Sequence, residues 1–189
     1  DAAYILHRSF TKALLACLAG IPARTGFATK RRGPLLTTPV TEPDRPLHKV
    51  EYFLALARAS GITPRSRSYE FRVTDSDRDF AKAFLKTNGV GESDKYIVIN
   101  PGGNWDPKRW PRGHFAAVAD RLAGRFGVGV VITGAEKDLS LAREIASLMR
   151  ARPVIAAGAT TLGQLAAILA GASLVVANDS GPMHLAVAV

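Results

Sequence analysis

Short apolar runs alternate with longer amphipathic stretches through the second half of the chain. Residues 96–100, 128–133, 153–157 and 174–177 are β-branched, apolar and bounded by Gly, Pro or polar turns, which predicts four strands. Helical spacing fills the intervals over about 113–126 and 138–150. Thr161 with Gln164 forms a capping box for a further helix that stops before Gly171. Strands of this length alternating with helices imply βαβ units, hence a parallel sheet with right-handed crossovers. The first half is less regular. Residues 4–6 read as a strand end, 10–19 as a helix, 47–60 as a helix and 69–73 as a strand, with Thr74 capping a helix over 75–87. Residues 33–46 carry four prolines and read as loop, and the Asn-Gly-Val-Gly-Glu-Ser-Asp stretch at 88–94 is the expected domain boundary.

The most informative junction is Leu174-Val175-Val176-Ala177-Asn178-Asp179-Ser180-Gly181-Pro182-Met183-His184. An apolar strand stops at a polar turn, and Pro182 suits the first turn of a helix, where a missing N–H costs nothing. Such a strand-to-helix turn aims backbone N–H groups and the positive helix end at one point, which suits a phosphate. A second junction, Asn100-Pro101-Gly102-Gly103-Asn104-Trp105-Asp106-Pro107-Lys108-Arg109-Trp110-Pro111, follows the first strand of that half. Its glycines let a ligand approach the backbone, and Lys108 supplies charge. Taken alone, this is equally a loop with a surface lysine. It is not a Walker A loop, because no Gly precedes the Lys and no Ser or Thr follows it. A third, Gly134-Ala135-Glu136-Lys137-Asp138, offers Glu136 to a ribose or sugar hydroxyl, although a lone acid there also reads as a helix N-terminal residue.

Composition narrows the classes. The 189 residues carry a formal net charge of +9. Residues 1–73 hold 12 Lys/Arg against 5 Asp/Glu, and the remainder 13 against 11. The surplus therefore sits in the first half, around Arg8, Lys12, Arg24 and Lys30-Arg31-Arg32. Such a patch attracts an anionic partner or is simply a solvated face. A nucleic-acid module is the competing class, but no recognised motif and no aromatic-interleaved basic stripe supports it. The single Cys17 excludes a disulfide framework and lies in an apolar run too short to span a membrane, in keeping with a cytoplasmic setting. Asp179, Ser180 and His184 do not form a hydrolase triad, since no G-x-S-x-G elbow is present. One Asp and one His lack companions at ligand spacing, so no metal site is expected. His48 and His114 read as cap-region residues, and His7 follows the first apolar run.

These motifs, in this order, resemble glycosyltransferase family 9, the lipopolysaccharide heptosyltransferases. The likeness is carried by residues 100–111, 134–138 and Asn-Asp-Ser-Gly-Pro-Met-His-Leu-Ala at 178–186. In the first half, Ser9 to Leu14, Gly20 to Phe27 and Arg32 to Thr37 look like the heptosyltransferase II branch. The resemblance implies an α/β fold of GT-B type, with two Rossmann-like domains facing across a cleft. Residues 1–90 would be the later part of the acceptor-binding domain, and 91–189 a nucleotide-sugar-binding domain short of its last elements. The donor would be ADP-heptose, held as substrate with no cofactor. The acceptor would be an anionic inner-core lipopolysaccharide precursor, with peripheral contact at the cytoplasmic face of the inner membrane.

Carried onto this sequence, the backbone at Gly102, Gly103 and Asn104 and the Lys108 side chain would bind the diphosphate. Glu136 would contact the ribose and Asp179 the sugar hydroxyls, while Ser180, Gly181 and His184 line the phosphate side. Lys108 and Asp179 would be the catalytic pair. Ser9, Lys12, Arg24, Lys30, Arg31 and Arg32 would face the acceptor. The family's acidic general base would precede Asp1, so the 189 residues alone are expected to be weak or inactive. An epimerase-like nucleotide-sugar enzyme is the enzymatic alternative, and the donor motifs argue against it.

Overall fold

Apolar runs in the second half become a four-stranded parallel sheet in the computed structural model, which describes residues 1–103 and 105–189. The strands are β4 (Tyr96–Asn100), β5 (Gly129–Ile132), β6 (Val154–Ile155) and β7 (Leu174–Ala177), in the order β6-β5-β4-β7. Val98 lies opposite Val131 on one side and Val175 on the other. Every residue of β4 is buried, as a central parallel strand covered on both faces requires. Alternation divides its side chains between two layers. Tyr96 and Val98 pack with α3 (Asp75–Thr87), α6 (Leu162–Ala170) and Leu185 of α7 (Gly181–Ala188). Ile97 and Ile99 pack with Phe115, Ala116 and Ala119 of α4 (Arg112–Phe126) and Ala142 and Ile145 of α5 (Leu139–Leu148). Each large side chain fully removed from water contributes about 1.5–3 kcal/mol.

Capping fixes where these helices begin. Thr74 accepts the Asp77 N–H and donates its own N–H to the Asp77 carboxylate, both at 3.2 Å. Thr161 and Gln164 repeat the arrangement at α6. The two helices approach so closely that a Cβ on Gly163 would stand 2.6 Å from an Asp77 carboxylate oxygen. The Tyr96 hydroxyl donates to the Ile168 carbonyl at 2.6 Å, and burial pushes its pKa up to about 12. The strand is thereby fastened to α6.

A second parallel sheet, in the order β1-β2-β3, comprises β1 (Ala2–Ile5), β2 (Ala23–Phe27) and β3 (Thr38–Val40). It is accompanied by α1 (Phe10–Leu18) and α2 (Lys49–Ala59). The polar centre of this unit is Arg32, which is 0% exposed. Its Nε donates to the Phe27 carbonyl at 2.7 Å, and its other nitrogens reach the carbonyls of His7 and, at 3.5 Å, Ile5. The guanidinium fork thus gathers chain ends leaving β1 and β2. Lys30 and Arg31 just before it adopt left-handed backbone, φ 51° and 61°, and their side chains are exposed.

Several expectations change on this account. Arg32 cannot face an acceptor, because its whole donor fork is buried on backbone carbonyls. Arg24 is also committed, donating to the Leu35 carbonyl at 2.7 Å and the Ile21 carbonyl at 2.5 Å. By packing, the chain separates into compact units Asp1–Arg67 and Ser68–Val189, because α3 packs on α6 and so joins the second unit. Residues 69–73 form no strand; the Phe71 N–H reaches the Ala188 carbonyl instead. The proline-rich loop contains β3, and 23–27 is a strand that its Gly and Arg concealed.

Replacing Arg32 by Met keeps the volume and removes the donors. We expect a loss of about 3 kcal/mol in the stability of the first unit, because buried carbonyls lose a charged partner. Urea unfolding followed by circular dichroism measures it; a loss below about 0.5 kcal/mol would contradict a structural role for this side chain.

Candidate active site

The order β6-β5-β4-β7 creates a switch point between β4 and β7. The chain leaves β4 toward α4 on one face of the sheet and leaves β7 toward α7 on the other. The two departing loops separate and open a crevice at the carboxyl ends of the strands, where open α/β sheets take ligands. A cleft of about 680 Å³ lies there. Asn100, Gly102, Gly103, Trp105 and Lys108 line it from the β4 side. Asn178, Asp179, Ser180, Gly181 and Pro182 line it from the β7 side. Gly134, Ala135, Lys137 and Asp138 follow β5, and Thr160, Thr161, Leu162 and Leu165 complete the wall at the start of α6.

Buried polar side chains hold these loops in place. Asn178 is 6% exposed. Its amide donates to the Pro101 carbonyl at 2.8 Å and the Gly102 carbonyl at 3.3 Å, while its oxygen accepts the Trp110 N–H at 3.0 Å. The loop after β4 is therefore clasped at both ends by one residue after β7. Asn100 donates to the Thr133 hydroxyl at 2.9 Å, joining β4 to the end of β5. Asp138 accepts the Ala135 N–H at 3.0 Å. Its carboxylate lies so near the glycine loop that a Cβ on Gly102 would stand 2.8 Å from it. Gly102 thus lets two loops touch, a reason for glycine distinct from access for a ligand. Arg109 donates twice to the Gly103 carbonyl, at 3.0 and 2.6 Å, and pairs with Asp106 at 2.9 Å.

Within this frame Lys108 Nζ meets Asp179 Oδ2 at 2.5 Å. The side chains are 47% and 64% exposed, so the pair contributes at most about 1 kcal/mol. A pair that weak exchanges readily: an incoming anion can take the ammonium, and hydroxyl groups can take the carboxylate. Ser180, extended at φ −149°, precedes α7 and donates its hydroxyl to the Asn178 carbonyl at 3.2 Å.

Gly102, Gly103, Lys108, Asp179, Ser180 and Gly181, singled out in the sequence, all line the one cleft. Asn104 lies outside the described residues. Glu136 is exposed between the lining residues Ala135 and Lys137, with its Cα 3.1 Å from where a Cβ on Gly158 would stand. It belongs to the rim. His184 is exposed and is not among the lining residues; its ring lies 6.3 Å from that of Tyr69. Sequence reasoning assigned no role to Asn178, Asp138, Asn100 or Arg109. The available signal was an Asn at the end of each of two apolar strands, a polar residue where burial demands partners. Among the described residues no group of three or more His, Cys, Asp or Glu is placed to hold a metal ion, and no helix is long and apolar enough to cross a membrane.

Two α/β units with parallel sheets, the second with a switch-point cleft, define an open, doubly wound α/β class of architecture. The model of glycosyltransferase family 9 (heptosyltransferase) matches residues 1–189, and the chain belongs to that family. It is 31% identical to lipopolysaccharide heptosyltransferase 2 of Escherichia coli K12, over 100% of this chain and 57% of that protein. Among solved structures, a family 9 glycosyltransferase from Veillonella parvula superposes with a TM-score of 0.85 at 30% identity, covering 100% of this chain and 54% of that one. The structure of E. coli ADP-heptose LPS heptosyltransferase II gives 0.76 at 31%, covering 100% and 60%. The fold is of the GT-B type. The chain spans little more than half the length of these relatives.

Replacing Asn178 by Ala leaves the Trp110 N–H and two carbonyls without their partner. We expect a loss of about 2 kcal/mol in the second unit by chemical denaturation. An unchanged midpoint would show that the clasp adds nothing.

Proposed function

We propose that this chain is the greater part of a heptosyltransferase that moves heptose from ADP-heptose to the inner core of lipopolysaccharide. The observation that supports it best is the meeting of Lys108 and Asp179, from two family motifs, in the switch-point cleft of the second unit. In this reading residues 68–189 hold the donor and residues 1–67 serve the acceptor. The diphosphate lies along the backbone of Gly102 and Gly103 and takes the Lys108 ammonium from Asp179. The Asp179 carboxylate accepts hydroxyls of the heptose. Ser180, Gly181 and the start of α7 face the phosphates and Glu136, at the rim, accepts from the ribose, while His184, beside Tyr69 and outside the cleft lining, is left without a direct contact.

The reaction is a direct displacement with inversion. The acceptor hydroxyl attacks the anomeric carbon as the bond to the ADP oxygen breaks, and its proton passes to a general base. Negative charge grows on the departing diphosphate, where Lys108 and the positive end of α7 stabilise it more than in the ground state. With that charge already met, no metal is required of the leaving group. Ser9, Lys12, Lys30 and Arg31 remain candidates for the anionic acceptor, since their side chains are not spent on carbonyls as those of Arg24 and Arg32 are. An acceptor embedded in a lipid leaflet would bring the first unit to the cytoplasmic face of the inner membrane.

Titration calorimetry with ADP tests the donor site on this chain. Lys108→Ala should weaken ADP binding at least about tenfold, or about 1.4 kcal/mol. No ADP binding by the folded wild-type chain would defeat the reading. Metal dependence is a separate measurement. ADP affinity should stay within about twofold on adding EDTA. Loss of binding restored by Mg²⁺ would make Asp179 a metal ligand and overturn the role given to Lys108.

A further inference from the structure

The loop after β4 has its acceptors satisfied and its donors open. Three successive carbonyls, of Pro101, Gly102 and Gly103, are taken up by side chains. Asn178 donates to the first at 2.8 Å and to the second at 3.3 Å, and Arg109 donates twice to the third. The N–H groups of Gly102 and Gly103, by contrast, have no acceptor among the described residues. Gly102 is buried, Gly103 is half-buried, and both line the cleft. Asp138 stands beside Gly102, yet its carboxylate accepts the Ala135 N–H. Buried backbone donors are almost always paired, with protein, water or ligand. Two neighbouring donors left open in a cleft call for an acceptor from outside the chain.

Asn178 sets the direction of both. A trans peptide is planar, and its N–H points opposite to the carbonyl of the residue before it. Holding the Pro101 carbonyl therefore aims the Gly102 N–H, and holding the Gly102 carbonyl aims the Gly103 N–H. One amide group grips both carbonyls, so the two N–H groups turn away from it as a pair. With no Cβ at either residue, an oxygen can come close to both. Asn178 itself has nothing left to offer a ligand. Its nitrogen is spent on the two carbonyls, and its oxygen accepts the Trp110 N–H.

We propose that Asn178 is a positioning residue for anion recognition, aiming the Gly102 and Gly103 N–H groups together at one oxyanion in the cleft. Hydrogen bonds from backbone N–H groups to a charged oxygen are roughly twice as strong as those between neutral groups, and they need no side chain on the loop. The residue after β7 thus makes the loop after β4 competent to bind. That the anion is the diphosphate of the donor rests on the transferase reading; the aim of the two amides does not.

Titration of the whole chain with pyrophosphate, ADP and adenosine tests it, followed by calorimetry and by the amide resonances of isotopically labelled glycine. Pyrophosphate and ADP should move the Gly102 and Gly103 amide protons downfield, and adenosine should leave them in place. Asn178→Ala should weaken both anions at least about tenfold, the loss of one bond to a charged oxygen. Adenosine, which has no phosphate, should stay within about twofold. Thermal melts establish that the variant folds; if it does not, the wild-type glycine resonances decide. Silent Gly102 and Gly103 resonances at saturating ADP would overturn the proposal. So would undiminished anion binding by folded Asn178→Ala, or an equal loss for adenosine, which would mean general damage to the cleft. The two claims fail separately. Pyrophosphate bound on these glycines without ADP binding defeats the transferase reading alone, and ADP bound with both glycines silent defeats this inference alone.

Discussion

A buried amide holds the cleft of the second unit together. Asn178 ends an apolar strand, yet it satisfies a donor and two acceptors belonging to the loop after a neighbouring strand. A primary amide carries two donor hydrogens and an acceptor oxygen on one short side chain. Because these bonds lie away from water, each group that lost its partner would bear its full desolvation cost. The position of Lys108 relative to Asp179 therefore follows from Asn178 more than from their own exposed ion pair. Catalytic and binding groups on loops acquire definite places in this way, through polar contacts beneath them that touch no ligand.

The first unit uses basic residues in two different ways. Arg32 and Arg24 close the ends of strands by donating to carbonyls, a structural task that needs the fork of a guanidinium. Lys30, Arg31 and Lys49 are exposed and carry their charge outward. Net charge along the sequence cannot separate these roles, since it counts a buried guanidinium and a solvated ammonium alike. The basic surface that a nucleic acid would have met is smaller than the composition suggests.

Much of the second unit was legible because each strand there is short, apolar and followed by a helix with its own capping residues. The order of the strands was not, since β-branched runs do not say which neighbour they pair with. Lys108 and Asp179 were found through their loops, and the turn chemistry of those loops is local. Asn178, Asp138 and Asn100 were missed because their importance lies in partners 33 to 77 positions away or in a neighbouring glycine loop. Strand β2 was hidden by its composition, Ala-Arg-Thr-Gly-Phe. Gly26 there has its place because a Cβ would stand 3.2 Å from the Ile5 carbonyl and 3.4 Å from Arg32. The Gly-rich turn at 88–94 marks the end of a helix, and the packing of that helix on α6, which no local signal reveals, groups it with the second compact unit.

The turn at Lys30 and Arg31 has an evolutionary side. Two successive residues with side chains sit in left-handed backbone, each at an expense of about 1 kcal/mol that glycine would not incur. Substitution to Gly or Asn would relieve that strain without touching the buried fork of Arg32. Neutral drift on stability alone would then favour small residues at both positions. A lineage that keeps long cations there is carrying a conformational load, and selection on something outside the unit's own folding is what would sustain it.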